Sequence, residues 1–399
     1  MCRLLLFAIA STLCTCVYAQ TPRDLLLDSL RLEMQALAAQ DQTPGFAAAL
    51  VTADGTVYEE GFGFADIAKQ RPYTPHTTQN IGSISKTFIG LSLLQAEREG
   101  ILSMEDPINK YLPFKVVHPR YPNRPILLKH LATHTAGISD DKFYDTAYSL
   151  LEPMTVDKGE IAKAEYKEMI FASGMKQYPL GEYLRRFFTE DGAFFHKKNF
   201  TKQAPGERHV YSNVGAALAA YVLECAAKKP FPAWTEQYIF QPLGMDNTGW
   251  APADVDPTTA FQHYFSNRKP MPDYILSTYP DGGLRTSIHQ LGLYCSAIIE
   301  GMEKGNELLP KEGYQRWLAD SVRVPGDEAV YGYFLERMDS GFYGHSGGDP
   351  GITTLMYINE ENNYGHLVFI SGTPQDGGFF LEALTALIRS GRKLAALEE

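Results

Sequence analysis

Cysteine is scarce: this 399-residue chain has five, and three of them (Cys2, Cys14 and Cys16) lie at its very start. The other two, Cys225 and Cys295, sit in apolar, helix-like stretches, which excludes a disulfide scaffold and a cysteine zinc site. Whether they pair with each other is open at this stage. Positive charge is also short, 36 Lys and Arg against 47 Asp and Glu, for a net charge of −11. With no basic run or basic aromatic cluster, a nucleic-acid role lacks its electrostatic footprint. Internal repeats and low-complexity tracts are missing, and glycine and proline are spread along the chain.

Long hydrophobic runs are absent too. The apolar stretch at residues 4–17 is too short for a bilayer core of about 30 Å. It follows Arg3 and ends at Val17-Tyr18-Ala19, so residues 1–19 read as an export signal cleaved before Gln20. A buried N-terminal helix fits less well, because Thr21-Pro22 opens a separate helix. Lipid attachment at Cys14 or Cys16 is disfavoured by the preceding Leu13 and Thr15, since that chemistry needs a small residue there. The expectation is an exported, periplasmic or secreted chain from residue 20 onward, without a transmembrane segment.

Residues 22–40 carry the apolar spacing of an amphipathic helix. Residues 45–51 and 56–64 flank Ala53-Asp54-Gly55 as a β-hairpin. Gly61-Phe-Gly63 within it lacks the third glycine and following helix of a nucleotide loop. A buried helix is predicted over residues 85–100, and helical patterns dominate residues 126–309. A polar, aromatic stretch at 140–202 interrupts them as a lid or wall. Strands return at 331–336, 341–344, 352–358 and 366–371, and residues 380–396 close as a helix. The pattern predicts an α/β (α+β) unit whose antiparallel sheet is built from both termini, flanked by helices, with an inserted all-α lobe. The α/β lobe spans about residues 20–85 and 275–399, and the helical lobe about 86–274.

A serine nucleophile needs a base within hydrogen-bond reach. Ser-x-x-Lys on a helix meets that need, because three residues make about one turn. The pattern occurs at Ser83-Lys86, Ser139-Lys142, Ser173-Lys176, Ser266-Lys269 and Ser390-Lys393. Ser139 runs into Asp140-Asp141, Ser173 and Ser390 precede glycines, and Ser266 lies in a polar loop. Only Ser83 follows a glycine and opens a buried helix, where the helix dipole favours developing negative charge. Among the Tyr-x-Asn triplets, Tyr121-Pro-Asn123 falls in a proline loop and Tyr357-Ile-Asn359 on a strand. Tyr211-Ser-Asn213 instead starts a helix after Pro205-Gly206.

Gly344-His-Ser-Gly-Gly348, placed between two strands, also spells G-x-S-x-G. A nucleophile elbow would need a helix next, yet Asp349-Pro350-Gly351 follows, and His366 comes only 17 positions after Asp349. His130 and His134 have helical i,i+4 spacing, but Leu131 stands where a zincin carries glutamate. They read as structural histidines, and neither a metal nor a cofactor is expected.

Ser83-Ile-Ser-Lys86, Tyr211-Ser-Asn213 and His345-Ser-Gly347, in this order, resemble the serine β-lactamase and penicillin-binding-protein superfamily, above all its class C β-lactamase-related branch with D-peptidases and esterases. Thr43-Pro-Gly-Phe, residues 81–88, residues 128–137, Pro205-Gly206 and residues 281–287 support the likeness, which runs from about residue 44 to 371. The resemblance implies a β-lactamase/transpeptidase-like fold and an acyl-enzyme on Ser83. Lys86 and Tyr211 would move protons, and Asn213 would bind the substrate amide. His345, Ser346, Gly347 and Gly348 would line the substrate site, with the Ser83 and Gly348 N–H groups as oxyanion hole. A cation within about 4–6 Å lowers a phenol pKa by roughly 1–3 units, so Lys86 is expected to lower that of Tyr211. One departure is His345, where related β-lactamases carry lysine. It points to a peptidase or esterase acting on a small molecule or peptide (D-amino-acid peptide, amide or small ester) more than to efficient β-lactam hydrolysis. A non-catalytic sensor or binding module is the alternative. Substrate and oligomeric state are not legible.

Overall fold

Along residues 45–51 the side chains alternate between two cores: Ala47, Ala49 and Val51 face one, and Phe46, Ala48 and Leu50 the other. A strand apolar on both faces must lie inside a sheet covered on both sides. The computed structural model, which describes residues 20–140, 142–319, 321–326, 328–372 and 377–398, has that architecture. The export signal expected at 1–19 lies outside the described residues.

The strands are β1 (Gly45–Thr52), β2 (Gly55–Asp66), β3 (Arg71–Pro72), β4 (Thr78–Asn80), β5 (Tyr148–Leu150), β6 (Tyr274–Leu276), β7 (Arg285–Ser287), β8 (Val322–Arg323), β9 (Ala329–Tyr331), β10 (Glu336–Met338), β11 (Phe342–Asp349), β12 (Ile352–Asn359) and β13 (Gly365–Ser371). Nine form one antiparallel sheet in the order β3-β2-β1-β13-β12-β11-β10-β9-β8. The β1–β13 pairing, with Phe46 opposite Ile370, joins the two ends of the chain as anticipated.

The helices are α1 (Pro22–Ala38), α2 (Ser85–Arg98), α3 (Leu128–Ala132), α4 (Lys163–Ser173), α5 (Leu180–Phe188), α6 (Asn213–Ala227), α7 (Phe231–Thr235), α8 (Gln241–Leu243), α9 (Ile288–Lys304), α10 (Lys311–Ala319) and α11 (Gly377–Glu398). Thr21 caps α1 through a reciprocal box with Asp24, and Pro22 occupies the first turn. Leu30, Met34 and Leu37 of α1 pack with Phe379, Ala383 and Leu387 of α11 over one sheet face. On the other face, Leu291, Tyr294 and Ile298 of α9 join Phe88 and Leu91 of α2. Helix α2 is buried from Ser85 to Ala96, packed between β11 and α6. Among the described residues no helix is long and apolar enough to cross a membrane. Cys225 and Cys295 are free thiols, not a pair.

Three local expectations change. Residues 332–335, read as part of a strand, form the turn between β9 and β10: Phe334 adopts φ 58° and donates its N–H to the Ala132 carbonyl. An apolar run buried against a neighbouring lobe has the composition of a strand, which periodicity does not separate from a turn. The His345–Gly348 stretch lies within β11 and not between strands. His130 and His134 do not share a helical face, because α3 ends at Ala132 and His134 turns to φ 54°. A short strand pair, β5 with β6, also lies outside the main sheet.

Candidate active site

Ser83 sits in a 3-10 turn, Gly82–Ile84, that leads directly into α2. Gly82 takes φ 53°, and a Cβ there would lie 3.0 Å from the Gly348 backbone nitrogen. Gly347 is tighter still, since its Cβ would come within 2.1 Å of the Ile81 carbonyl oxygen. The two glycines let β11 press against the nucleophile turn, a close approach that any side chain would block. Thr354 fastens the contact by donating to the Ile81 carbonyl at 2.7 Å. Ser346 and Gly348 are exposed on this edge, while His345 and Gly347 are buried.

One turn along α2, Lys86 is fully buried. Its Nζ donates to Ser83 Oγ at 2.9 Å, to Asn213 Oδ1 at 2.7 Å and to the Asp281 backbone carbonyl at 2.5 Å. A lysine has three N–H donors, and here each has an acceptor. Nζ also lies 5.0 Å from the Tyr211 ring centre. Tyr211, Asn213, Ser83 and Lys86 are therefore brought together as the sequence suggested.

The start of α6 is held by a residue that the sequence reading had used only to discount Ser139. Asp140 accepts from Ser212 Oγ at 2.8 Å and from the backbone N–H groups of Asn213 at 2.6 Å and Val214 at 3.2 Å. A carboxylate at a helix N-terminus satisfies otherwise orphaned donors. Burial raises the Asp140 pKa, while the Asn213 N–H and the other donors oppose the rise. His134 accepts the Ser212 N–H on Nδ1 at 3.1 Å, and its ring lies 4.4 Å from that of Tyr211. Burial pushes its pKa well below the ordinary histidine value.

Tyr211 keeps 36% of its surface open to the cleft. Its pKa is nonetheless raised, with burial the larger influence and the Lys86 charge pulling the other way. The Lys86 charge acts in the expected direction, but the surrounding protein penalises a phenolate more, and the net shift is upward. Asp281 is pushed up to about 7 by burial against the opposing Lys86 charge, and its Oδ1 accepts from Tyr144 at 3.0 Å.

His345 does not open onto the cleft. It is 4% exposed, its Nδ1 donates to the Ser346 carbonyl at 2.5 Å, and its Nε2 lies 3.9 Å from Glu336. Burial lowers its pKa, so a charged, carboxylate-facing histidine is not what this environment favours. The cleft next to Gly348 is acidic instead. A cavity of about 330 Å³ there is lined by Glu165, Glu168 and Asp349 together with Tyr148, Met169 and Phe265. Asp349 is pushed up to about 7 by burial and accepts from Tyr148 at 2.7 Å. Glu165 and Glu168 come from α4, so the interrupting stretch at 140–202 contributes a wall of the cavity.

Of the decoys, Ser173 donates to the Ile170 carbonyl and Ser390 is inside α11, while Ser266 donates to Glu165 on the cavity wall. Sequence reasoning missed Asp140, Tyr144, Glu165 and Glu168. None carries a local motif.

An antiparallel sheet packed on both faces, with a serine turn leading into a buried lysine helix, defines a β-lactamase/transpeptidase-like fold. The beta-lactamase family model matches residues 30–388, and the chain belongs to that family. It is similar to a penicillin-binding protein of Bacillus subtilis (strain 168), 24% identical over 358 residues that cover 83% of this chain and 69% of that one. Protein flp of Staphylococcus aureus (strain N315) is 22% identical over 330 residues, covering 82% and 59%. The chain therefore spans less than two thirds of Protein flp. Among solved structures, the octameric penicillin-binding protein homologue from Pyrococcus abyssi superposes with a TM-score of 0.71 at 23% identity, covering 91% of this chain and 77% of that one. The D-amino acid amidase from Ochrobactrum anthropi SV3 complexed with L-phenylalanine gives 0.64 at 20%, covering 91% and 99%.

Proposed function

We propose that the protein is an exported serine hydrolase that forms an acyl-enzyme on Ser83 and cleaves amides or esters whose acyl part carries a free amine, such as D-amino-acid amides. The observation that carries the reading is the 2.9 Å contact from Lys86 Nζ to Ser83 Oγ. Lys86 spends its three donors on Ser83, Asn213 and the Asp281 carbonyl, so the serine proton is left to Tyr211, which interacts with both Ser83 and Lys86. In its deprotonated form, the one the Lys86 charge favours, Tyr211 would take that proton as Ser83 Oγ bonds to the substrate carbonyl, and pass it from the resulting phenol to the leaving amine or alcohol. Water would then release the acyl group by the same route. The N–H groups of Ser83 and Gly348 would stabilise the oxyanion, each donor contributing roughly 3–4 kcal/mol.

The acidic cavity supports the amine. Glu165 and Glu168 beside Gly348 attract a cation and oppose the carboxylate of a β-lactam, and Asp349, pushed up to about 7, adds to this only as it ionises. A D-amino-acid amide, its N-acetyl derivative, a neutral ester and a chromogenic β-lactam should be compared on one preparation. The amine-bearing substrate is expected to have the highest kcat/KM, and Glu168→Gln should narrow its advantage over the N-acetyl derivative. Equal or better turnover of the N-acetyl or β-lactam compound would overturn the substrate assignment. Acylation of Ser83 without turnover of any substrate would favour the sensor reading.

A further inference from the structure

Away from the catalytic cluster, Glu59 on β2, His76 in the loop before β4 and His289 at the head of α9 meet on the surface. One potential ligand atom from each lies within 4.8 Å of the others. Nδ1 of His289 is 3.0 Å from both oxygens of Glu59, and the rings of His76 and His289 are 4.6 Å apart. We infer that these three side chains form a binding site for a late first-row divalent cation such as zinc, bridging the hairpin, the β4 approach and α9.

The backbone explains why the two histidines meet. Strands β4 and β7 pair with Thr78 opposite Ser287 and Asn80 opposite Arg285. Beyond Thr78 and Ser287 the two segments stay together, because the His289 N–H in the first turn of α9 donates to the Pro75 carbonyl at 3.1 Å. Neighbouring positions across an antiparallel pair bring side chains within contact distance. Glu59 comes from a separate strand, opposite Ala49 on β1, so the site is tertiary and not a local motif.

Two imidazoles and a carboxylate select zinc-like ions over magnesium or calcium, which prefer all-oxygen shells. Bonds of about 2.0–2.1 Å in a tetrahedron place ligand atoms roughly 3.3 Å apart. The Glu59–His289 pair is already at that spacing. His76 is exposed and free to swing inward to the third position, leaving the fourth to water.

The other end of the same ladder reaches the catalytic cluster. Beyond Asn80 and Arg285, the Ile81 N–H donates to the Leu284 carbonyl, two residues before Ser83 and three after Asp281. A cation at His76 and His289 would clamp the strand pair that presents the nucleophile turn and the Asp281 carbonyl, while taking no part in bond making.

The test uses untagged, full-length protein stripped with EDTA and titrated with zinc chloride by calorimetry, alongside thermal denaturation. One zinc per chain should bind, and Tm should rise by about 3 °C at a zinc concentration near 100 times Kd. Magnesium should do neither. His76→Ala, an exposed change, should leave the metal-free Tm and metal-free hydrolysis intact yet weaken zinc binding by at least about tenfold. Glu59→Gln should weaken it similarly. Absence of stoichiometric zinc binding, or equal affinity and Tm gain in His76→Ala, would overturn the site and leave a simple Glu59–His289 hydrogen bond.

Discussion

The carboxylate of Asp140 accepts the backbone N–H of Asn213 at 2.6 Å, which ties the entrance of the inserted stretch to the helix that starts beside Ser83 and Lys86. Asp140→Ala removes three hydrogen bonds from that helix start. A lost cap costs about 0.5–2 kcal/mol, and freeing Tyr211 and Asn213 should lower kcat by roughly 10²-fold, the effect of misplacing a catalytic group by about 1 Å. Urea unfolding and steady-state kinetics check both. Normal kcat with reduced stability would make Asp140 a cap and nothing more.

Ser83→Ala should reduce hydrolysis on the order of 10⁶-fold and abolish covalent labelling, with an unchanged fold because Ser83 is only half-buried. Ser173→Ala and Ser390→Ala should keep full activity. Intact-mass measurement after incubation with an acylating substrate reads out the adduct, and an adduct on the Ser83→Ala protein would remove the central assignment.

Tyr211→Phe deletes only the phenol oxygen and keeps the ring on His134. A drop in kcat of about 10²–10⁴-fold with little change in substrate binding is expected of a proton-transfer group. If KM rises while kcat holds, the phenol binds substrate instead.

Adjacent glycines on β11 should respond differently. A Cβ at Gly347 collides with the Ile81 carbonyl, whereas one at Gly348 meets nothing within 4 Å. Gly347→Ala should destabilise by roughly 1–3 kcal/mol and disturb the nucleophile turn. Gly348→Ala should stay within about 0.5 kcal/mol of wild type. Comparable losses in both would mean the close approach to Ile81 is not what glycine provides.

His366 on β13 is fully buried, and burial holds its pKa down at about 4. Between that value and about 6.5 the unfolded chain carries the extra proton, so this histidine's contribution to stability is lost as pH falls through the window. Asp281 and Asp349, both pushed up to about 7, act in the opposite sense, losing stability as pH rises from about 4 to 7. The comparison must therefore be between proteins. From pH 6.5 to 4.5, His366→Gln should lose roughly 2–3 kcal/mol less than wild type. Parallel unfolding free energies at the two pH values would contradict the assignment.

Local pattern alone determined much of this protein. The two-sided apolar run at residues 45–51, the turn at 53–55 and the strands near the C-terminus already implied one sheet made from both ends. Ser83 and Lys86 were legible because one helical turn separates them and they open onto the apolar run from Phe88 to Leu94. Tyr211 and Asn213 were legible because they sit at a helix entrance. Only the tertiary structure decided what surrounds them. Asp140 reaches its α6 partners across 72 to 74 positions, and Lys86 finds the Asp281 carbonyl across 195. A backbone carbonyl has no side-chain signature, and an aspartate that caps a distant helix reads like one in any loop. The same holds for charge: the raised pKa of Tyr211 and the burial of His345 come from the desolvation imposed by every neighbouring element, a sum over the folded molecule that no short stretch of residues encodes.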